Sequence, residues 1–139
     1  MKIGIYYFTR TGNCKRIAEK IGEKLNLEVF PIKDDVDWTG FKAYFKFQSY
    51  AKGKKKMEIT YHDTDKFDRF ILVSPVWGSR MPPTVKLFLE NIPMEKVDMV
   101  VSSKMDKMRG IEDANRIVHI KQYSSGEDEK IEEYIKTFA

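Results

Sequence analysis

The sequence predicts one α/β domain, spanning residues 1–139, that is built on a doubly wound parallel sheet of five strands. Short apolar runs, typical of strands buried on both faces, alternate along the chain with segments of helical periodicity. A length of 139 residues also suits a single domain. For such an alternation we expect the strand order 2-1-3-4-5, so that the connections after strands 1 and 3 leave the sheet at one crevice.

The amino-terminal half contains two of the predicted strands. Residues 3–8 are apolar throughout and form the first strand, and a helix with a core-facing side follows from Lys15. A short second strand ends near Pro31. Aromatic residues at mixed spacing predict a helix with a basic end over residues 38–56, and residues 57–61 are expected to be an extended connection.

The carboxyl-terminal half begins with a third buried strand at residues 70–73. Pro82 and Pro83 then mark the start of a helix, because proline suits the first turn. After a fourth strand, only residues 104–116 remain before the fifth, which is close to the minimum for a parallel crossover. We therefore predict a shortened crossover between strands 4 and 5, with one or two helical turns at most.

The last predicted helix begins at a capping box. Ser125 and Asp128 have the spacing in which each side chain caps a backbone N–H of the other residue. Acidic residues in the first turn of this helix also suit the helix dipole.

Composition narrows the classes of function. The net charge is +4 and the sequence pI about 9.0, but the basic residues gather on no single face and no nucleic-acid-binding motif accompanies them. The single cysteine, Cys14, excludes an internal disulfide and a paired-cysteine metal site, and His62 and His119 suit packing or the surface. Without a long apolar run, we expect a cytoplasmic protein that binds neither nucleic acid nor membrane and has no metal site.

The turn after the first strand has the composition of an anion site. Hydroxyl groups, a small glycine and the N–H groups at a helix start would all point at one position, where the helix dipole adds positive charge. Basic residues in that first turn, Lys15 and Arg16, would be stabilised by a bound phosphate. An ordinary helix cap is the alternative. The residues of the turn are Thr9, Arg10, Thr11, Gly12, Asn13 and Cys14.

The turn after the third strand has an aromatic residue where a ligand could lie. Trp77 stands between Pro75 and Gly78, where we expect no core for the indole to enter. An aromatic ligand would offer it a stacking partner, worth about 0.5–1.5 kcal/mol beyond burial. A hydrophobic plug over the end of the sheet is the alternative.

These two motifs resemble those of the short-chain flavodoxin family of FMN-binding proteins. Residues 9–14 are similar to the family's phosphate loop, T/S-x-T-G-N-T, with Cys14 in place of the last threonine. Residues 75–78 and 80–83 resemble the second flavin loop and the helix start behind it. The resemblance implies a flavodoxin-like fold and FMN as cofactor. It implies cofactor-binding roles for Thr9, Arg10, Thr11, Gly12, Asn13, Cys14, Pro75, Val76, Trp77, Gly78, Ser102 and Ser103.

The family also suggests individual roles within this set. The peptide at Gly78 would turn toward flavin N5, and the backbone of Ser102 and Ser103 would face the pyrimidine edge of the ring. The chain lacks the aromatic residue that often covers the outer face of the flavin, which leaves Met105 and Met108 as apolar candidates. A thiol is a weaker phosphate donor than a hydroxyl group, so binding would depend more on backbone N–H groups.

Three functions remain open. The first is an electron carrier between redox partner proteins, which for this basic chain would have acidic surfaces. The second is an NAD(P)H-dependent flavin or quinone reductase, favoured by positive charge near the ring from Lys104, Lys107 or Arg109. The third is a degenerate domain that no longer binds flavin. The carrier is favoured over an enzyme, and no catalytic residue is predicted.

Overall fold

A parallel sheet of five strands organises the fold. It is seen in a computed structural model that describes residues 1–38, 46, 49–50, 56–104, 107–121 and 124–138. The strands of the described residues are β1 (Ile3–Tyr7), β2 (Val29–Pro31), β3 (Lys33–Asp34), β4 (Ile59–Thr60), β5 (Arg69–Pro75), β6 (Val97–Ser103) and β7 (Arg116–Lys121).

The order of the large sheet is β2-β1-β5-β6-β7, and all of its pairings are parallel. Numbering these five strands alone gives 2-1-3-4-5, so the predicted fold class is confirmed. The two-residue strands β3 and β4 form a separate antiparallel pair, and β4 lies within the predicted extended connection.

Three helices with defined bounds cover the sheet in the described part of the chain: α1 (Asn13–Leu25), α2 (Pro83–Leu89) and α3 (Glu127–Lys136). Core residues of α1 and α3 pack against one face, and those of α2 against the other. The tandem prolines act as predicted, because Pro82 is the N-cap of α2 and Pro83 its first residue. None of the described helices combines the length and the apolar character needed to cross a membrane.

The predicted capping box is wrong. The N-cap of α3 is Gly126, and no side chain caps this helix. Ser125 lies in a turn, closed by a hydrogen bond from the N–H of Glu127 to the carbonyl of Ser124. The side chain of Glu127 is held by cations of α1, so the helix begins where tertiary ion pairs place it.

The crossover between β6 and β7 is short, as predicted, but it contains no helical turn in its described residues 107–115. Gly110, with a φ of +82°, interrupts the helical conformation. Met108 and Ile111 insert into the core on the α2 side of the sheet. Two apolar anchors and a tight turn therefore replace the helix that usually covers such a connection.

The helix predicted over residues 38–56 lies mostly outside the described residues. Lys46, Ser49 and Tyr50 are helical. Trp38 is not helical, and its indole is buried in the core, where Nε1 donates a hydrogen bond of 2.8 Å to Asp34. A helix that begins at residue 38 is therefore wrong.

One buried carboxylate joins the carboxyl-terminal elements at the edge of the sheet opposite the predicted crevice. Asp98 in β6 is fully buried and accepts hydrogen bonds from Arg69 and from Asn115, the latter at 2.8 Å. The hydroxyl of Tyr134 in α3 donates a third bond of 2.5 Å. Burial, and then the hydrogen bond to Asp98, raise the pKa of Tyr134, which keeps this phenol protonated.

We expect Tyr134→Phe to lower the free energy of unfolding by about 1.5–3 kcal/mol, because a buried carboxylate loses a charge-assisted hydrogen bond. Urea denaturation followed by circular dichroism measures this loss. Tyr61→Phe is the control, since Tyr61 is exposed and its hydroxyl makes no hydrogen bond with another described residue, and it should change stability by less than about 0.5 kcal/mol. Equal stability losses in the two variants would contradict the prediction.

Candidate functional site

Three chain segments meet in one cleft at the carboxyl edge of the sheet. They are the turn after β1, the loop after β5 and the end of β6. The cleft has a volume of about 420 Å³, within the range of small-molecule sites. It is lined by Thr9, Arg10, Thr11, Asn13, Cys14, Pro75, Val76, Trp77, Ser102, Ser103 and Lys104. Ten of the twelve residues predicted from the sequence are in this lining, and Gly12 and Gly78 lie in the loops that form it.

The turn after β1 leaves the start of α1 without a side-chain cap. Gly12 is the N-cap, with a φ of +92°, a conformation that favours glycine. Its N–H donates a hydrogen bond of 2.9 Å to Oγ1 of Thr9, which closes the turn. The first N–H groups of α1 therefore have neither an intrahelical acceptor nor a cap. This is the backbone arrangement that an anion requires.

Neither basic residue of this first turn, Lys15 or Arg16, is among the described residues that line the cleft. The guanidinium of Arg16 forms a bidentate ion pair with the carboxylate of Glu127 in α3 and also donates to the side chain of Asn13. Lys20 contacts Glu127 as well, at 3.0 Å. We expected a bound phosphate to stabilise Arg16, but Glu127 already supplies a negative charge to this guanidinium. The side chain of Lys15 remains exposed.

Asn13 joins two strand ends across the cleft. Its side chain is buried, and Nδ2 donates a hydrogen bond of 2.8 Å to Oγ of Ser102. The side-chain oxygen of Asn13 accepts from Arg16. Each polar atom of this side chain thus makes a hydrogen bond within the protein, so Asn13 positions the turn.

Cys14 contributes backbone to the cleft while its side chain belongs to the core. The thiol is buried among residues such as Ile17 and Val73, and burial raises its pKa to about 12. It is therefore a neutral thiol at physiological pH. The replacement of the family's threonine removes a hydroxyl from this position and keeps the N–H group.

The loop after β5 is a tight turn of four residues. Trp77 and Arg80 exchange two backbone hydrogen bonds of 2.9 and 3.0 Å. Gly78 and Ser79 between them both have positive φ, +58° and +62°, as in a type I′ turn. The turn holds the indole of Trp77 at the wall of the cleft.

Trp77 also packs against core aromatic residues, so the expectation that it has no core to enter is wrong. Its ring lies edge-on to Phe8, at a centroid distance of 5.6 Å, and to Trp38, at 5.0 Å. The side chain is half-buried and still lines the cleft. These ring contacts fix the position of the indole at the wall of the cleft.

The end of β6 brings two serines to the cleft. Ser102 and Ser103 are the last two residues of the strand and are buried, and Oγ of Ser103 lies 3.2 Å from Nε2 of His119. Met108, a candidate cover for the ligand, is buried in the core instead. Met105, the other candidate, lies outside the described residues.

The electrostatics of the cleft favour an anionic ligand. Arg10 and Lys104 line it, and none of its described lining residues is acidic. Arg10 reaches the carbonyl of Trp38 at 3.4 Å, which links the turn to the aromatic residues behind Trp77. The cleft thus combines cations, uncapped N–H groups and an aromatic side chain.

Sequence reasoning missed the residues that support the cleft. Phe8 and Trp38 brace Trp77, and Glu127 binds Arg16. Of these, only Glu127 could have been singled out from the sequence, where it is an acidic residue in the first turn of the last helix. Its partner lies 111 positions away and cannot be chosen by pattern alone.

The sheet order and the position of the cleft define a flavodoxin-like α/β fold. No protein-family model and no curated protein matches the chain. Among solved structures, a flavoprotein from Lactobacillus acidophilus NCFM in complex with FMN is 20% identical, with a TM-score of 0.70 over 92% of this chain and 97% of that one.

Two further solved structures are similar to this chain along most of its length. A putative flavoprotein from Bacteroides eggerthii is 17% identical, with a TM-score of 0.71 over 98% of this chain and 96% of that one. Flavodoxin 2 from Bacillus cereus is 19% identical, with a TM-score of 0.54 over 99% of this chain and 97% of that one. At these identities the similarity shows the fold.

The ion pair beside the cleft predicts a pH dependence. Hydrogen bonds from Arg16, and then from Lys20, lower the pKa of Glu127 from 4.5 to about 2. Its contribution to stability is therefore present above about pH 4.5 and is lost as the pH falls toward 2. We expect Glu127→Gln to cost about 1–3 kcal/mol at pH 7 and much less near pH 2.5, measured by urea denaturation at both pH values.

Glu129→Gln is the matched control, since this exposed residue lies in the same helical turn and has no partner among the described residues. It should change stability by less than about 0.5 kcal/mol at either pH. A cost for Glu127→Gln that is the same at both pH values would contradict the assignment.

Proposed function

We propose that this protein binds FMN in the cleft at the carboxyl edge of the sheet and acts as a redox protein. The observation that carries the proposal is the convergence of the uncapped start of α1 and the half-buried indole of Trp77 on one cleft. FMN has the matching parts, a dianionic phosphate and a flat aromatic ring. The FMN named for the similar Lactobacillus acidophilus structure supports this choice of ligand.

The residues of the cleft divide the binding between them. The N–H groups at the start of α1 and the hydroxyl of Thr11 would hold the phosphate, with Arg10 supplying positive charge. Trp77, braced by Phe8 and Trp38, would lie against the ring. The backbone at Ser102 and Ser103 would meet the polar edge of the ring. The bound group supplies the chemistry of one- or two-electron transfer.

The role of an electron carrier between redox partner proteins is the function that this arrangement supports best. The cleft is lined by hydroxyls, cations and an indole, and its described residues include no acid or imidazole placed to act on a substrate. Lys104 favours one alternative, an NAD(P)H-dependent flavin or quinone reductase, because a cation beside the ring stabilises negative charge on it.

Comparing the affinities for FMN and for riboflavin, which lacks the phosphate, tests which residues bind the phosphate and which bind the ring. Thr11→Val should weaken FMN about tenfold and leave riboflavin unchanged, since only the phosphate uses that hydroxyl. Trp77→Ala should weaken both ligands by similar factors, about 2- to 13-fold, because the stacked ring is common to them. Quenching of flavin fluorescence on titration of apoprotein measures the dissociation constants.

Thr60→Val is the matched control for loss of a hydroxyl, since Thr60 is exposed in β4 and is not part of the cleft. Its FMN affinity should equal that of the wild type. If wild-type protein bound neither FMN nor riboflavin at micromolar concentration, the proposed function would be wrong and the degenerate domain would be favoured.

Reductive titration separates the two redox functions. A carrier should take up electrons in two resolved one-electron steps under dithionite and oxidise NADPH no faster than free FMN does. A reductase should instead oxidise NADH or NADPH steadily in the presence of a quinone. Absorbance at the flavin bands follows the first measurement, and absorbance of the reduced nicotinamide follows the second.

A further inference from the structure

A groove larger than the FMN cleft lies beside it and has no role in the proposed function. It has a volume of about 850 Å³ and runs between α2 and the shortened crossover. We call it the α2 groove. Its described lining consists of Tyr50, Lys56, Met57, Arg80, Met81, Pro83, Lys86, Leu87, Leu89, Glu90, Met94, Arg109 and Gly110.

The shortened crossover accounts for the groove. Residues 107–115 form no helix, and they touch the sheet through Met108 and Ile111. A full crossover helix would pack beside α2 on this face and cover its outer side. Here Leu87 stays half-buried and Arg109 stays exposed at the groove.

The described residues give the groove a positive charge. Lys56, Arg80, Lys86 and Arg109 are exposed, and their side chains make no ion pair or hydrogen bond with another described residue. Glu90 is the acidic member of the lining.

Cations on the opposite face of the sheet form ion pairs. Arg16, Lys20 and Lys24 of α1 pair with acidic residues of α3. At the α2 groove, by contrast, four cations without a described partner border half-buried apolar side chains.

The floor of the groove suits a polypeptide better than a small ligand. Met57, Met81 and Met94 are half-buried, and methionine side chains adapt to the shape of a partner. The cations stand exposed around the rim, where they can meet acidic residues along an extended partner. An apolar floor with a charged rim is the arrangement that binds an amphipathic segment.

We infer that the α2 groove docks an acidic amphipathic segment of a partner protein. This inference rests on the proposed function for its purpose, since the groove shares the turn from Trp77 to Arg80 with the FMN cleft. A hydrogen bond of 2.9 Å from the N–H of Arg109 to the carbonyl of Ser79 joins the crossover to the same turn. A segment in the groove would bring its protein next to the flavin.

Two labelled peptides test the inference on the full chain. One is a helical peptide of about 15 residues with leucine at every third or fourth position and glutamate elsewhere; the other has lysine in place of glutamate. Fluorescence anisotropy should show at least tenfold tighter binding of the acidic peptide at about 0.05 M NaCl, with most of the difference lost at about 0.5 M.

Matched charge reversals locate the binding. Arg80→Glu with Lys86→Glu should weaken the acidic peptide at least tenfold. Lys66→Glu with Lys130→Glu makes the same change of net charge at exposed positions outside the groove and should alter affinity less than twofold. Amide NMR signals of Met81, Leu87 and Gly110 should shift on peptide addition.

Equal affinity for the two peptides would overturn the inference. So would an equal loss of peptide affinity in both double variants, or shifts of amide NMR signals that are confined to surfaces outside the groove. Displacement of the peptide by micromolar NADPH would instead make the groove a dinucleotide site. FMN titration of the same samples keeps the proposals separate. Peptide binding without FMN binding would refute the proposed function alone, and FMN binding without peptide binding would refute the docking groove alone.

Discussion

The parallel pairing of β1, β5 and β6 is the constraint on which the cleft depends. Tyr7 pairs with Val73, and Pro75 pairs with Ser102, so the three strands end within a few residues of one another. Each connection that leaves this edge must then start beside the others. The hydrogen bond from Asn13 to Ser102 holds the first and third of these ends together across the cleft.

Contacts within the protein hold the parts of the cleft that would meet a ligand's charge and its ring. Gly12 ends the turn in a left-handed conformation, so α1 starts without a cap, while Arg16 is drawn away to Glu127. Trp77 is held from behind by Trp38, whose indole is itself fixed by Asp34. Such support reduces the ordering that a ligand would have to impose, and less ordering means tighter binding.

Local pattern was enough to predict the fold and most of the cleft. Apolar runs in the sequence predict the buried strands. Residues 9–14 and 75–78 directly follow two of these strands, so the order of the strands in the sheet brings the two segments together. Pairings between distant residues were not predictable, because many partners of the right type compete. Asn13 and Ser102 are 89 positions apart, and Arg16 and Glu127 are 111 apart. The capping box at Ser125 failed for the same reason: a tertiary ion pair outweighed a local motif.

The shortened crossover changes one face of the molecule and leaves the other intact. On the α1 and α3 face, cations and carboxylates neutralise each other in pairs such as Lys24 with Glu132. On the α2 face, Met108 and Ile111 fill the core from a segment without a helix, so the sheet stays covered while Leu87 of α2 stays only half-buried. The core therefore remains packed despite the shortened crossover, and the effect of the shortening is seen at the surface. Apolar area left open beside cations that have no partner among the described residues is unfavourable in an isolated protein, and an acidic partner protein would cover the area and neutralise the charge.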